Sequence, residues 1–185
     1  SPRDHFVGNG TEFLAAGDLD GDGWPELVVT LWREGSAAIL RSADGGGFLE
    51  AETLPLSGTP RYPAVGDVDG DSLPDVLLSL AATVPPAAVV ILPNTGGGRL
   101  GDPRRLAVGE DPRRFLLADL DGDGDLDLAV PVRMDDKLSI LENRGRGIFA
   151  AAVEIAMPRY PSYVSAGDID GDLDLDLAVS CSRAG

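Results

Sequence analysis

The 185-residue sequence predicts an all-β protein made of four-stranded antiparallel units, the blades of a β-propeller, and three observations carry that expectation. An acidic motif recurs four times, as "AGDLDGDGWPE", "VGDVDGDSLPD", "LADLDGDGDLD" and "AGDIDGDLDLD". Its first aspartates, Asp18, Asp67, Asp119 and Asp168, stand 49, 52 and 49 residues apart, a period that signals solenoids, propellers or arrays. Short apolar runs of strand length flank every copy, and glycine-rich turns close the first three units.

Each unit opens with an apolar segment: "EFLAAG", "YPAVG", "RFLLA" and "SYVSAG". The acidic motif follows, then a second apolar run: "LVVTLW", "VLLSL", "LAVPV" and "LAVS". Runs of four to six residues rich in Val and Leu are too short for most helices and suit buried strands. In the first three units a third run comes next ("AAILRS", "AVVILP", "LSILEN"), then a turn ("ADGGG", "NTGGG", "NRGRG") leading to Phe48, Leu100 or Phe149. Asn or Asp beside Gly supplies the positive φ that tight hairpins need. The units span about 13–54, 62–107, 115–155 and 163–185 of what is expected to be one partial propeller domain; the fourth holds two strands and its acidic loop. Residues 1–12 are expected to supply one further strand around Phe6 and Val7. Three and a half blades do not close a ring, so further blades or a second copy are expected to complete it.

Composition narrows the function classes. The formal charge is −16, yet 18 of the 31 acidic residues lie in the four motifs, leaving the remainder close to neutral. The negative charge is therefore concentrated at four sites. Basic residues occur as small pairs such as Arg104 and Arg105, which argues against nucleic-acid binding. No apolar run approaches the ~18 residues of a membrane span. The single cysteine, Cys181, has no internal disulfide partner and is expected as a small buried residue near a strand end.

Numbering each motif from its first aspartate puts carboxylates at positions 1, 3, 5 and 9. These are Asp18, Asp20, Asp22 and Glu26; Asp67, Asp69, Asp71 and Asp75; Asp119, Asp121, Asp123 and Asp127; and Asp168, Asp170, Asp172 and Asp176. In a curled loop alternate side chains converge on one point, and a backbone carbonyl at position 7 (Trp24, Leu73, Asp125 or Asp174) adds a ligand. Several hard oxygens with high negative charge suit Ca²⁺, whereas Mg²⁺ keeps more water. Carboxylates ~4 Å apart repel by about 1 kcal/mol even at the dielectric of water; up to four structural Ca²⁺ ions would remove that repulsion and halve the formal charge. Position 4 is Gly in every copy, but position 6 is Gly23, Ser72, Gly124 and Leu173, so weaker or distorted sites are expected in loops two and four. An EF-hand is excluded, because its position 12 needs a bidentate acid and here carries Val29, Leu78, Val130 and Val179.

The motif D-x-D-G-D after an apolar strand, closed by an acid at position 9 and followed by a turn such as "NRGRGIF", resembles the FG-GAP or VCBS repeats of integrin-α-like propellers. Pro60, Pro112 and Pro161, seven residues before the first loop aspartate, strengthen the likeness; the first repeat has Thr11 there, and Ala118 replaces the glycine found at Gly17, Gly66 and Gly167. The resemblance covers nearly the whole chain and implies a calcium-stabilised propeller, extracellular or at the cell surface, serving binding or adhesion. It equally implies an alternative role, as an accessory or carbohydrate-binding module of a larger secreted enzyme.

Catalysis finds little support within the chain. His5 is the only histidine and lies in the N-terminal segment, read as an exposed terminal residue; the dense acids all belong to the loops. The segments "TPRYP", "EDPRRF" and "MPRYPSY" enter successive blades and bring Arg61, Tyr62, Arg113, Arg114, Arg159, Tyr160 and Tyr163 toward one end. Two readings stay open for them: donors and platforms for an acidic, sugar or protein ligand, or arginines that balance local acid and tyrosines that pack between blades. Trp24 and Trp32 are expected as packing residues, Trp24 partly exposed.

Overall fold

The computed structural model describes residues 4–43, 46–81 and 86–182, so Asp44 and Gly45 of the first glycine turn and the last three residues of the fourth unit lie outside the described residues. Fourteen strands form four antiparallel sheets, and no helix occurs among the described residues. The first sheet orders β1 (Thr11–Gly17), β2 (Glu26–Leu31), β3 (Ser36–Leu40) and β4 (Glu52–Pro55) as consecutive neighbours. The second repeats this with β5 (Thr59–Gly66), β6 (Asp75–Ala81), β7 (Ala88–Leu92) and β8 (Arg104–Ala107). The third contains β9 (Leu116–Ala118), β10 (Asp127–Val132), β11 (Lys137–Leu141) and β12 (Val153–Ala156). The last pairs β13 (Pro161–Gly167) with β14 (Asp176–Cys181).

Burial explains why the middle runs are so apolar. The second and third strands of the first three sheets are almost wholly buried, while β4, β8 and β12 are largely exposed along an outer edge. Apolar side chains from both faces fill the gaps between sheets: Leu19, Val28 and Ile39 meet Val76, Leu78 and Leu80, and Val68, Leu77 and Ile91 meet Leu128, Val130 and Val132. A strand buried on both faces has no polar side to alternate with, so it appears in sequence as a continuous apolar run.

The N-terminal segment departs from expectation. No strand forms at Phe6 and Val7; instead Val7 packs on the outward face of the first sheet beside Val29, Leu31 and Phe48, and exposed His5 meets the Phe48 ring edge-on at 5.7 Å. Glycines at 8 and 10, both at positive φ, bend the chain away from strand geometry before Thr11. The first strands also carry a shared irregularity. Register shifts fall between Thr11 and Leu14, Arg61 and Pro63, and Pro161 and Tyr163. In the third sheet the disruption is wide enough that β9 starts at Leu116, with Pro112 making only an isolated bridge to Val132. Such bulges re-aim side chains: Tyr62, at φ 40°, is turned inward to 9% exposure. Cys181 does end a strand, though half-buried rather than buried.

A hydrogen-bonded latch joins successive sheets. Asn94 Nδ2, just beyond β7, donates to the carbonyls of Leu19 in the first acidic loop (2.7 Å) and Pro74 (3.0 Å). Asn143 Nδ2, just beyond β11, repeats this with Val68 of the second loop (2.8 Å) and Leu126 (3.1 Å). Both asparagines are buried, and the first sheet has Ser42 at the matching place. Replacing either asparagine by Ala strands two carbonyls, so Asn94→Ala and Asn143→Ala are each expected to cost about 2 kcal/mol in urea unfolding. Ser42→Ala, which breaks no bond between sheets, should cost under about 1 kcal/mol.

Candidate metal centre

The four acidic motifs all fall in the connection between the first two strands of a sheet, and their backbones follow one path. Position 4 has φ of 81°, 76°, 80° and 85° at Gly21, Gly70, Gly122 and Gly171. Position 6 is left-handed too, at Gly23 (89°), Ser72 (70°), Gly124 (94°) and Leu173 (78°). Ser72 and Leu173 thus adopt the curl despite their Cβ atoms, at a cost of about 1–2 kcal/mol each.

Asx-type hydrogen bonds shape that curl. The position 1 carboxylate accepts the amides of positions 4 and 6: Asp18 from Gly21 (2.8 Å) and Gly23 (2.9 Å), Asp67 from Gly70 and Ser72 (both 2.8 Å). Asp119 does the same from Gly122 (2.8 Å) and Gly124 (3.0 Å), and Asp168 from Gly171 (2.6 Å) and Leu173 (3.2 Å). The position 5 carboxylates Asp22, Asp71, Asp123 and Asp172 each accept the position 7 amide, from Trp24, Leu73, Asp125 and Asp174, at 2.7–3.0 Å.

These turns bring carboxylate oxygens together. Within each group below, one oxygen per residue lies within 4.8 Å of the others: Asp18, Asp20 and Asp22; Asp67, Asp69 and Asp71; Asp119, Asp121 and Asp127; Asp168, Asp170 and Asp176. Oxygens on one calcium sphere, at 2.3–2.6 Å from the ion, are at most about 5 Å apart, so the spacing fits a shared cation. The crowding has an electrostatic signature. The Asp69 carboxyl is pushed above its ordinary value by burial and then by the neighbouring Asp71 and Asp67. Burial raises Asp75 as well, against the lowering effect of its amide donors.

Position 9 has a second job that the sequence does not announce. Glu26 accepts Leu19 N on Oε2 (2.8 Å) and Ser42 N on Oε1 (3.2 Å). Asp75 takes Val68 N (3.0 Å) and Asn94 N (2.8 Å), and Asp127 takes Leu120 N (2.8 Å) and Asn143 N (2.7 Å). One carboxylate thereby ties position 2 of its loop to the end of the third strand. In the fourth unit Asp176 accepts Ile169 N at 2.9 Å.

The residues at the sheet entrances mostly hold one another. Arg113 lies over the Tyr62 ring at 5.3 Å, and Tyr62 in turn packs on Phe13 at 4.3 Å. Arg114 lies over Tyr163 at 5.4 Å, Arg133 over Tyr160 at 5.0 Å, and Asp111 pairs with both Arg113 and Arg133 at 3.5 Å. These contacts link successive sheets. Arg61 is half-buried, Arg159 is exposed, and neither joins that ladder. Trp24 projects from its loop at 68% exposure, more than a packing role allows. The sequence reading missed Asn94 and Asn143 as connectors between sheets; their signal was a fixed place, six residues before Leu100 and Phe149.

Comparison with known proteins agrees with this architecture. Residues 8–78 match the family model described as an FG-GAP-like repeat. No curated protein matches the sequence significantly. Among solved structures, an Agrocybe aegerita lectin that recognises non-reducing terminal N-acetylglucosamine superposes with a TM-score of 0.62 at 19% identity, over 89% of this chain and 45% of the lectin. BBS1N in complex with ARL6DN gives 0.63 at 17% identity, over 94% and 52%. The Photorhabdus luminescens Tc holotoxin pore gives 0.53 at 26% identity, over 92% of this chain and 8% of that one. The chain therefore spans about half the length, or far less, of these structures. Residues 8–78 are thus similar to FG-GAP-like repeats, and the chain as a whole has the all-β sheet architecture of β-propeller blades.

Proposed function

We propose that the chain is a calcium-stabilised propeller module that works in extracellular binding or adhesion and carries no catalytic centre. The observation that supports this best is the fourfold convergence of carboxylate oxygens within 4.8 Å in loops of one backbone design. Four loops with the same curl are hard to explain as solvated turns, because each gathers like charge that a bound cation would offset beyond what the loop amides do. Asp18, Asp20, Asp22 and their counterparts would supply the oxygens, with the carbonyls of Trp24, Leu73, Asp125 and Asp174 within the same turns. Exposed loops of this kind suit the weaker calcium affinities of extracellular modules. Among the described residues no helix is long and apolar enough to cross a membrane.

A second reading, a carbohydrate-binding accessory module of a larger secreted enzyme, draws on the lectin among the similar structures. Its tyrosines and arginines are the obvious platform, but Tyr62 is already covered by Phe13 and Arg113. The module's ligand, protein or sugar, would have to meet the exposed Arg159 and the half-exposed Tyr163 instead.

Calcium at a hundredfold excess over its Kd should stabilise the native state by about 2.7 kcal/mol per occupied site, or roughly 5–10 °C in Tm for a chain of this size. Calorimetric titration should count up to four sites, and Asp18→Asn should remove one. A melting curve unmoved by calcium or by excess chelator would rule the metal out. The pH response should change sign with the metal. In chelator, the raised carboxyls of Asp69 and Asp75 mean the native state holds more protons than the unfolded one, so their contribution is full below about pH 4 and is lost as pH rises through the raised values. With calcium bound, protons compete with the ion and stability should instead fall on acidification. Tm measured between about pH 4 and 7 in both conditions checks the reversal.

A further inference from the structure

Two arginines from different strands arrive at the same place beside the acidic loops. Arg41, just beyond β3, reaches from the first sheet to the second: its Nη2 donates to Gly98 O at 2.7 Å and pairs with Glu52 Oε2 at 3.3 Å. Arg104, the first residue of β8, stands in the gap between the second and third sheets, with Nη2 3.9 Å from Asp69 Oδ2. The glycine turns mark the correspondence. A Cβ on Gly98 would strike Arg41 Nη1 and stand 3.3 Å from the Cβ of Asp20; a Cβ on Gly147 would stand 3.0 Å from Arg104 Nη2 and 3.4 Å from the Cβ of Asp69. Asp20 and Asp69 both hold position 3 of their loops. Each of these loops thus has a guanidinium beside the same carboxylate. The Asp69 carboxylate has room for a second cation as well, since its Oδ1 is buried with no hydrogen-bond partner. The third loop carries the opposite charge. Glu142, at the place of Arg41 just beyond its own third strand, lines a cavity of about 200 Å³ together with Asp121 and Asp127, and its ion pair with exposed Arg144 is long, at 3.8 Å.

We infer that the charge beside position 3 sets the calcium affinity of each loop, and that Arg104 holds the affinity of the second loop down as a built-in competing cation. The inference rests on the calcium reading given under the proposed function. A guanidinium and a divalent ion about 6 Å apart repel enough, in water-like surroundings and physiological salt, to lower affinity roughly threefold to tenfold. Arg104 has no acidic partner except Asp69 among the described residues, so its charge acts on that loop undiluted. Arg41 acts less on the first loop, because Glu52 already offsets it. Glu142 works in the other direction, adding a carboxylate beside the third loop. The arginines have a use when calcium is scarce: each supplies positive charge to its aspartate cluster without the ion, so the loop keeps a counterion and fills only at higher calcium.

Calcium titration of the full chain, followed by NMR with ¹⁵N-glycine, reads the loops separately, because the amides of Gly21, Gly70, Gly122 and Gly171 each donate to the position 1 carboxylate of their own loop. Arg104→Gln is expected to bring the Gly70 midpoint to roughly threefold to tenfold lower free calcium, with Gly21 and Gly122 unmoved. Arg104→Lys keeps the charge and should leave Gly70 close to the parent, and raising salt should shrink the effect of the Gln variant. Arg41→Gln should move Gly21 the same way by less, and Glu142→Gln should move Gly122 to higher calcium. A Gly70 midpoint that stays or rises in Arg104→Gln, while the glycines still titrate, overturns the inference and leaves the calcium reading standing. Equal tightening by Arg104→Lys and Arg104→Gln overturns it too, by assigning the effect to packing on Gly147. Glycine amides that ignore calcium in every loop overturn both the inference and the reading beneath it.

Discussion

A buried carboxylate at position 9 of the first three acidic loops is the constraint on which their sheets depend. Glu26, Asp75 and Asp127 are at most 1% exposed, and an ion so placed is costly unless its lone pairs are filled. The backbone fills them from two directions, with an amide from position 2 of the same loop and an amide from just beyond the third strand. Charge-assisted bonds of this kind fix position as well as energy. The loop therefore cannot shift without breaking the third strand's exit, and the curl of positions 1 to 6 is held from behind. Burial still leaves the Asp75 carboxyl raised, so the amides offset only part of the desolvation.

The asparagine that supplies the second amide also spends its side chain on the neighbouring sheet, and this joins the local motif to the global architecture. Asn94 reaches position 2 of the first loop, and Asn143 reaches position 2 of the second. The glycines four places later complete the fit, since a Cβ on Gly98 or Gly147 would stand 3.3 or 3.4 Å from the Cβ of Asp20 or Asp69. Arg41 Nη2 adds a bond to Gly98 O at 2.7 Å across the same seam. Ser42 in the first sheet is consistent with this logic: with Glu26 one methylene longer than aspartate, its hydroxyl turns back to the glutamate at 3.0 Å rather than across to another sheet.

Much of this was legible because repetition amplifies weak signals. One Asp-Gly turn says little, but four copies in register specify the loop, the strands on either side and the four-stranded unit. The asparagines were visible only as turn formers, since propensity reports on a residue's own backbone and not on a partner 75 residues away. The bulges of the first strands were hidden for a related reason. Proline at 60, 112 and 161 marks where pairing is interrupted, but the inward turn of Tyr62 depends on Phe13 and Arg113 from adjacent sheets. Phe6 and Val7 look like a strand by composition, and flanking glycines at positive φ decide otherwise.

On the calcium reading, the latch also sets what the ion can do. The position 2 carbonyl that accepts Asn94 lies between the position 1 and position 3 carboxylates, Asp18 and Asp20, so the seat of the second sheet and the first cation site share one short stretch of backbone. An ion that orders those carboxylates also orders the acceptor, and an asparagine that holds the acceptor pre-forms the carboxylate cluster. Reciprocity follows from linkage: whatever factor the ion adds to the seating of the next sheet, that sheet adds to the ion's affinity. Among the described residues the loops of the third and fourth units have no such donor at Leu120 or Ile169, and Ile169 is exposed, so both lack that support. Leu173 at φ 78° further taxes the fourth loop's curl, which on that reading makes the cluster of Asp168, Asp170 and Asp176 the weakest of the four.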